Sequence, residues 1–207
     1  EETKQTILKE IGDKHIHCII GGPPCQAYSM SGHRDPLDKR GHLFKDYIEM
    51  VKRIQPDFIV MENVKGILSM RQQKEVLDKP LELKMKKYYF LLKKKKDLQQ
   101  LKKTKGGYSN EIKKISKEIK SIDISDCMEL VVNKIIQKFN SIGYNVKFKT
   151  LNSANFGVPQ KRERVIFIGT RIKGIDLETL YPEITHTQDG VGGKKWVSVK
   201  DAISYLS

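Results

Sequence analysis

The sequence predicts an α/β domain on a mostly parallel sheet, interrupted by a lysine-rich helical insertion. Three observations lead there. Short apolar runs that read as strands alternate with segments whose apolar residues recur at helical spacing. Glycine and proline punctuate the ends of those runs. The charge is also uneven: the chain of 207 residues carries 39 Lys+Arg and 25 Asp+Glu, and residues 71–125 hold 17 of the former against 7 of the latter, so they supply +10 of the net +14.

Taken in order, residues 15–20 read as a short buried strand, ended by Gly21-Gly22-Pro23-Pro24. Leu43, Phe44, Tyr47, Ile48, Val51 and Ile54 recur at helical spacing, predicting an amphipathic helix that stops near Pro56. Residues 57–61 (D-F-I-V-M) predict a second buried strand. The basic stretch 71–125 is rich in helix formers broken by Gly106-Gly107, which predicts two helices joined by a tight turn. Cys127, Val131, Ile135, Phe139 and Ile142 mark a further helix with Gly143 as its stop. Residues 144–151 alternate as a strand, and Val165 begins a short apolar one ending at Thr170. The expected division is 1–70 and 126–207 as the two parts of one α/β domain, with 71–125 inserted between them.

Composition narrows the partner and the compartment. A pI near 9.6 suits a polyanionic partner without separating DNA from RNA or an acidic membrane surface, and a lysine-rich composition needs no partner at all. The three cysteines, Cys18, Cys25 and Cys127, lack zinc-ligand spacing, and no metal site is expected. Neither a secretory signal nor an apolar run of the ~20 residues that span a bilayer is present, so a cytoplasmic, membrane-free protein with reduced thiols is expected.

Three segments carry reactive side chains. Cys25 follows the first strand in a stiff proline turn, where backbone presents it. A thiolate nucleophile needs such a fixed approach, although a free cysteine is more often a small buried hydrophobe. Glu62 stands directly after the second strand, where a partly desolvated carboxyl can hold a proton and act as an acid or as a donor to a ring nitrogen, although from this segment alone an exposed glutamate capping the next helix is the better reading. Arg162 and Arg164 precede the last strand and point the same way if the segment is extended. They suit gripping a phosphate or carbonyl oxygen and holding a carboxylate, or simply a solvated strand edge. In a parallel sheet functional groups gather at the carboxyl ends of strands; two of these segments follow strands, whereas the third precedes one.

Together, G-G-P-P-C-Q (Gly21 to Gln26), M-E-N-V-K-G (Met61 to Gly66) and F-G-V-P-Q-K-R-E-R-V (Phe156 to Val165) closely resemble the DNA (cytosine-5)-methyltransferase family of bacterial modification systems. Tyr181-Pro182, Thr185-His186, Trp196-Val197 and Asp201-Ala202-Ile203 resemble the family's stretch leading to its DNA-recognition region. The resemblance covers residues 15–70 and 126–207. It implies a Rossmann-like sheet that uses S-adenosylmethionine as co-substrate and duplex DNA as partner. Carried over, Cys25 is the nucleophile, Glu62 contacts the cytosine ring, and Arg164 helps hold it with Arg162 beside it. Asn63 fixes the loop that presents Glu62. Pro24 falls on the cofactor side, and Gln26, Ser29, Arg34 and Gln160 on the nucleic-acid side. The loop 30–41 closes over a flipped base and, if the host is bacterial, the protein associates with the nucleoid.

The sequence departs from the family in three places, one being the lysine-rich stretch 71–125, longer than the family's usual link and either a hairpin lying along DNA or a solvated protrusion. No F-x-G-x-G turn for the cofactor's methionine precedes Cys25, so the sheet is expected to be incomplete at its N-terminal side. The chain also stops at Ser207, about where a target-recognition region would start. An excised fragment is one explanation; a split enzyme whose second chain supplies both parts is another. A tRNA-methylating branch shares the cysteine and glutamate blocks, and an inert nucleic-acid-binding module stays open beside it.

Overall fold

The computed structural model describes residues 2–24 and 43–206. In chain order it begins α1 (Glu2–Ile11), β1 (Cys18–Gly21), α2 (Leu43–Ile54) and β2 (Phe58–Val64). There follow β3 (Arg71–Gln73), α3 (Lys79–Lys105), α4 (Ser109–Ser121), β4 (Met128–Leu130) and α5 (Val131–Ser141). The chain continues through β5 (Asn145–Asn152), β6 (Glu163–Thr170), β7 (His186–Thr187), β8 (Lys194–Lys195) and α6 (Val199–Ile203). Two compact units result: Arg71–Leu130 forms one, and the chain up to Met70 joins Val131 onward in the other. No helix among the described residues is long and apolar enough to cross a membrane.

The larger unit is an α/β domain around a four-stranded sheet in the order β1-β2-β6-β5. β1 and β2 are parallel, and β6 runs antiparallel to both β2 and β5. Three strands therefore share a direction and β6 alone is reversed. This answers why the arginine segment precedes its strand: the start of a reversed strand lies at the carboxyl edge of its neighbours. Val64 pairs with Arg164, at the end of β2 and the beginning of β6.

The core follows from strand alternation. Ile59, Met61, Val146, Val165 and Phe167 are buried with Phe44, Ile48 and Val51 of α2 and Val131, Val132, Ile135 and Phe139 of α5. The Tyr47 and Phe139 rings meet edge to face at 6.2 Å, placing α2 beside α5. Tyr47 Oη reaches the carbonyls of Ile19 at 2.9 Å and Val60 at 3.0 Å, one on each parallel strand. The ring lies so close to β1 that a Cβ on Gly21 would sit 2.6 Å from its Cε2, so only glycine fits there. A smaller cluster of Ile168, Leu177 and Tyr181 packs with Leu151 and Ile166. Tyr181 Oη reaches the carbonyls of Lys147 and Ile166, and burial pushes the hydroxyl's pKa up to about 12.

Several local expectations shift. β1 begins at Cys18 and is not buried: Cys18 is exposed and Ile20 is 77% exposed, because among the described residues β1 pairs on one side only. β2 extends to Val64, so Glu62 and Asn63 lie inside the strand and Glu62 caps no helix. α5 begins at Val131; Cys127 sits in a separate 3-10 turn, and residues 128–130 pair as β4. Gly143, at φ +90°, terminates α5 as expected.

The smaller unit is a helical hairpin closed at its base by the antiparallel pairing of β3 with β4. Asp78 caps α3 by accepting from Leu81 N, and Pro80 occupies the first turn, where its missing N–H costs nothing. Gly106 and Gly107 both take positive φ, 72° and 75°, and turn the chain into α4. Met85, Leu91 and Ile115 form the buried seam, while lysines 93, 94 and 96 are exposed.

Candidate active site

The carboxyl edge of the sheet gathers the three reactive segments. Gly22, Pro23 and Pro24 leave the end of β1, Glu62, Asn63 and Val64 end β2, and Glu163 and Arg164 begin β6. Gly22 lies against the glutamate, since a Cβ there would stand 3.1 Å from Glu62 Oε2. Cys25, Gln26, Ser29 and Arg34, with the rest of the loop 30–41, lie outside the described residues.

Register sets the orientation. Glu62 faces Ile166 across the ladder, so Glu62 and Arg164 emerge on the same face, whereas Asn63, opposite Val165, points to the other. Arg164 Nε lies 2.7 Å from Glu62 Oε1, with the side chains 23% and 43% exposed respectively. Arg164 also donates through Nη1 to the Glu163 carbonyl at 2.8 Å. The guanidinium is thus held from two sides and holds the carboxylate in turn. The Glu62 carboxylate is partly open at the end of the strand and is partnered by Arg164.

Asn63, 4% exposed, joins two segments. Its Nδ2 donates to the Pro23 carbonyl at 3.1 Å, and its Oδ1 accepts from Val64 N at 2.9 Å. The expectation was that Asn63 fixes the loop presenting Glu62; the bond to Pro23 ties it also to the turn that leads to Cys25. Beside it, Lys65 Nζ sits 2.9 Å from both carboxylate oxygens of Glu163, an ion pair that ties the turn after β2 to the start of β6 and that no sequence pattern pointed to.

The loop before β6 is rigidly closed. Asn152 Oδ1 accepts from Ala154 N and from Arg162 N, each at 3.2 Å, and Ser153 Oγ donates to the Gln160 carbonyl at 2.6 Å. Gly157 turns the loop at φ +84° and packs on the His186 ring. Trp196 Nε1 donates to Asn155 Oδ1 at 3.0 Å, and Lys161 Nζ stands 4.7 Å from the Trp196 ring centroid. Gln160 and Arg162 are exposed at the surface, Arg162 being bound through its backbone N–H to Asn152 Oδ1.

A model of the C-5 cytosine-specific DNA methylase family matches residues 1–91 and 124–201. The chain belongs to this family. The unmatched residues 92–123 fall in the outer part of the helical hairpin. Among curated relatives, the type II methyltransferase M1.HphI of Haemophilus parahaemolyticus is 30% identical over 203 residues, covering 97% of this chain and 37% of its own length. M.DdeI of Desulfomicrobium norvegicum is 34% identical, with 95% of this chain and 34% of its own length covered. M.AquIA of Picosynechococcus sp. is 32% identical over 216 residues, with 99% and 66% covered. The chain spans about a third of the length of the first two relatives.

Within this family frame, the structure brings Glu62 and Arg164 into contact and sets Pro24, exposed, at the end of the first strand. The described edge thus offers an acceptor, the Glu62 carboxylate, and a donor, the Arg164 guanidinium, on one face of the sheet.

Proposed function

We propose that this chain carries the site that methylates C5 of cytosine in duplex DNA, with S-adenosylmethionine as methyl donor. The supporting observation is the 2.7 Å Glu62–Arg164 pair at the carboxyl edge, one hydrogen bond away from the turn that leads to Cys25. The net charge of +14 suits a duplex polyanion.

The Cys25 thiolate adds to C6 of the target base, which breaks the ring's aromaticity and makes C5 nucleophilic. Glu62 meets N3 and the exocyclic amine and offsets the charge pushed into the ring; Arg164 holds the base and orients Glu62. S-adenosylmethionine, when bound, supplies the methyl group that C5 takes. The C5 proton then leaves to a base, the C6–S bond breaks, and the thiolate is restored. A stacked base cannot offer C6 to a thiol, so the nucleotide must be flipped out, at about a few kcal/mol of unstacking that phosphate contacts offset. Relatives named type II methyltransferases support the reading that such methylation belongs to a modification system.

Covalent trapping tests the proposal. The protein is first shown to bind S-adenosylmethionine and is then mixed with duplex DNA containing 5-fluorocytosine, whose C5 carries no proton to lose. The expected result is a protein–DNA adduct mapped to Cys25 by mass and absent from Cys25→Ala. Cofactor and DNA binding without an adduct, or an adduct that survives Cys25→Ala, would overturn it. Competition by tRNA in place of duplex DNA would move the substrate to RNA.

A further inference from the structure

The opposite end of the same sheet carries a side-chain cluster that methyl transfer does not use. β1 and β2 are parallel, so their amino ends lie side by side, far along the strands from Glu62. His15 and His17 stand just before β1, and Asp57 just before β2. The first rung of backbone pairing, from Phe58 N to the His17 carbonyl at 2.8 Å, brings them together.

Both imidazoles aim at one atom. His15 Nε2 lies 2.7 Å and His17 Nδ1 3.0 Å from Asp57 Oδ2, and the two rings meet edge to face at 4.6 Å. The three donor atoms fall within 4.8 Å of one another. Asp57 is anchored from behind: its backbone carbonyl accepts from Thr170 Oγ1 at 2.8 Å, and its second oxygen faces Arg171 Nε at 3.8 Å. Arg171 occupies Oδ1 and so leaves Oδ2 as the oxygen presented to the histidines. Asp57 is 17% exposed, whereas His15 and His17 are 54% and 82% exposed, so the cluster has a fixed floor and an open mouth.

We infer that His15, His17 and Asp57 form a binding site for a divalent transition-metal ion of the zinc class, with water completing its shell. Two imidazole nitrogens and one carboxylate oxygen are borderline ligands that suit Zn²⁺, Co²⁺ or Cu²⁺, whereas Ca²⁺ and Mg²⁺ take oxygen shells. Tetrahedral bonds of about 2.0–2.1 Å place neighbouring ligand atoms roughly 3.3 Å apart, so the 2.7 and 3.0 Å separations from Asp57 Oδ2 need to open by a few tenths of an ångström, while the two imidazole nitrogens, within 4.8 Å of each other, swing towards that same spacing. Both imidazoles are exposed and precede β1, so rotation of their side chains supplies that adjustment without moving the strands. Cys18, the first residue of β1, is not part of the cluster. An ion held here would staple the segment entering β1 to the start of β2. It would bind the folded chain and not the unfolded one, and stabilise the sheet accordingly.

The test is Zn²⁺ titration of the chelator-treated full chain, in a buffer that does not coordinate metal, with thermal unfolding followed in parallel. One ion per chain and a raised unfolding temperature are expected. Both should persist in Cys18→Ser and be lost in His17→Ala, whose site is exposed enough that the fold, checked by circular dichroism, is unaffected. Cu²⁺ loading should give an electron paramagnetic resonance spectrum split by imidazole nitrogens, which His15→Ala simplifies. No uptake at excess Zn²⁺ would leave the cluster as two imidazoles hydrogen-bonded to a carboxylate. That result, or uptake unchanged by His15→Ala/His17→Ala, overturns the assignment.

Discussion

Replacing Asn63 by aspartate changes one NH₂ group into an oxygen and should do more harm than deleting the side chain. In the native protein Nδ2 donates to the Pro23 carbonyl at 3.1 Å and Oδ1 accepts from Val64 N at 2.9 Å, in a residue only 4% exposed. Aspartate keeps the second bond, but sets a carboxylate oxygen against the Pro23 carbonyl with no hydrogen between them. The lost bond is worth about 0.5–1.5 kcal/mol, and leaving a buried acceptor unpaired costs about 1–3 kcal/mol more, so Asn63→Asp should destabilise by roughly 2–4 kcal/mol at neutral pH. Asn63→Ala removes both bonds but leaves room for water to satisfy Pro23 O and Val64 N, and should cost roughly 1–3 kcal/mol. Urea denaturation followed by circular dichroism measures both. A second readout separates charge from shape. Burial raises the new carboxyl's pKa, and once protonated it can donate to Pro23 O, so the deficit of Asn63→Asp should shrink as pH falls from 7 towards 5. Because Pro23 leads to Cys25, both variants should also trap 5-fluorocytosine more slowly. If Asn63→Asp matched the native protein in stability, or proved milder than Asn63→Ala, the assigned hydrogen bonds would be wrong.

Glu62→Gln should slow adduct formation by about 10²–10⁴-fold, as expected for loss of a positioned acid–base group, while costing no more than about 1 kcal/mol in stability because its pair with Arg164 is partly exposed; a rate within threefold of native would remove Glu62 from the chemistry. Gly157→Ala combines φ +84° with a Cβ only 2.9 Å from His186 Cε1, and should cost about 1–3 kcal/mol, read from its urea midpoint. An unchanged midpoint would mean that the loop before β6 is not held as described. Lys149 foremost, then Lys147, holds the Glu178 carboxyl below its ordinary range. A depressed folded pKa contributes stability above the unfolded value of about 4.3, lost as pH falls through the folded value. The stability gap between native and Glu178→Gln should therefore be constant above about pH 5, close in more acidic solution, and shrink with added salt. A gap that ignored both pH and salt would refute the pairing.

What the sequence made legible followed from how each signal arises. Helical spacing in α2, the double glycine between α3 and α4, and Gly143 after α5 are local, and all three stand in the structure. The exposure of β1 was not legible, because I-I-G after Cys18 reads the same whether or not a neighbouring strand covers it. The β3–β4 rung was missed for a related reason: three-residue strands carry no period, and only the pairing of distant segments reveals them. The Lys65–Glu163 pair joins residues 98 apart in sequence, beyond the reach of any spacing rule.

Strand direction is the least legible property and the one on which the site depends. A run such as V-I-F-I-G has no sequence mark for which way it points in a sheet. Had β6 run parallel to β2, its first residues would lie at the sheet's amino edge, with Arg164 beside Asp57 instead of Glu62. Reversal places Arg164 opposite Val64 and two residues along the ladder from Glu62's partner, so the ion pair forms on one face. The same reversal carries Thr170 to the start of β2, where its hydroxyl meets the Asp57 carbonyl. One strand thus supports both ends of the sheet. A substitution that weakens β6 at its Asp57 end, such as Gly169→Ala one residue before the strand stops and with a Cβ 2.7 Å from Val146 Cγ2, should loosen the His–Asp57 cluster and, if the strand moves as a unit, the Glu62–Arg164 pair at its start as well. Parallel losses in base trapping and in metal uptake would show that coupling; loss of one with the other intact would show that the two edges are held independently.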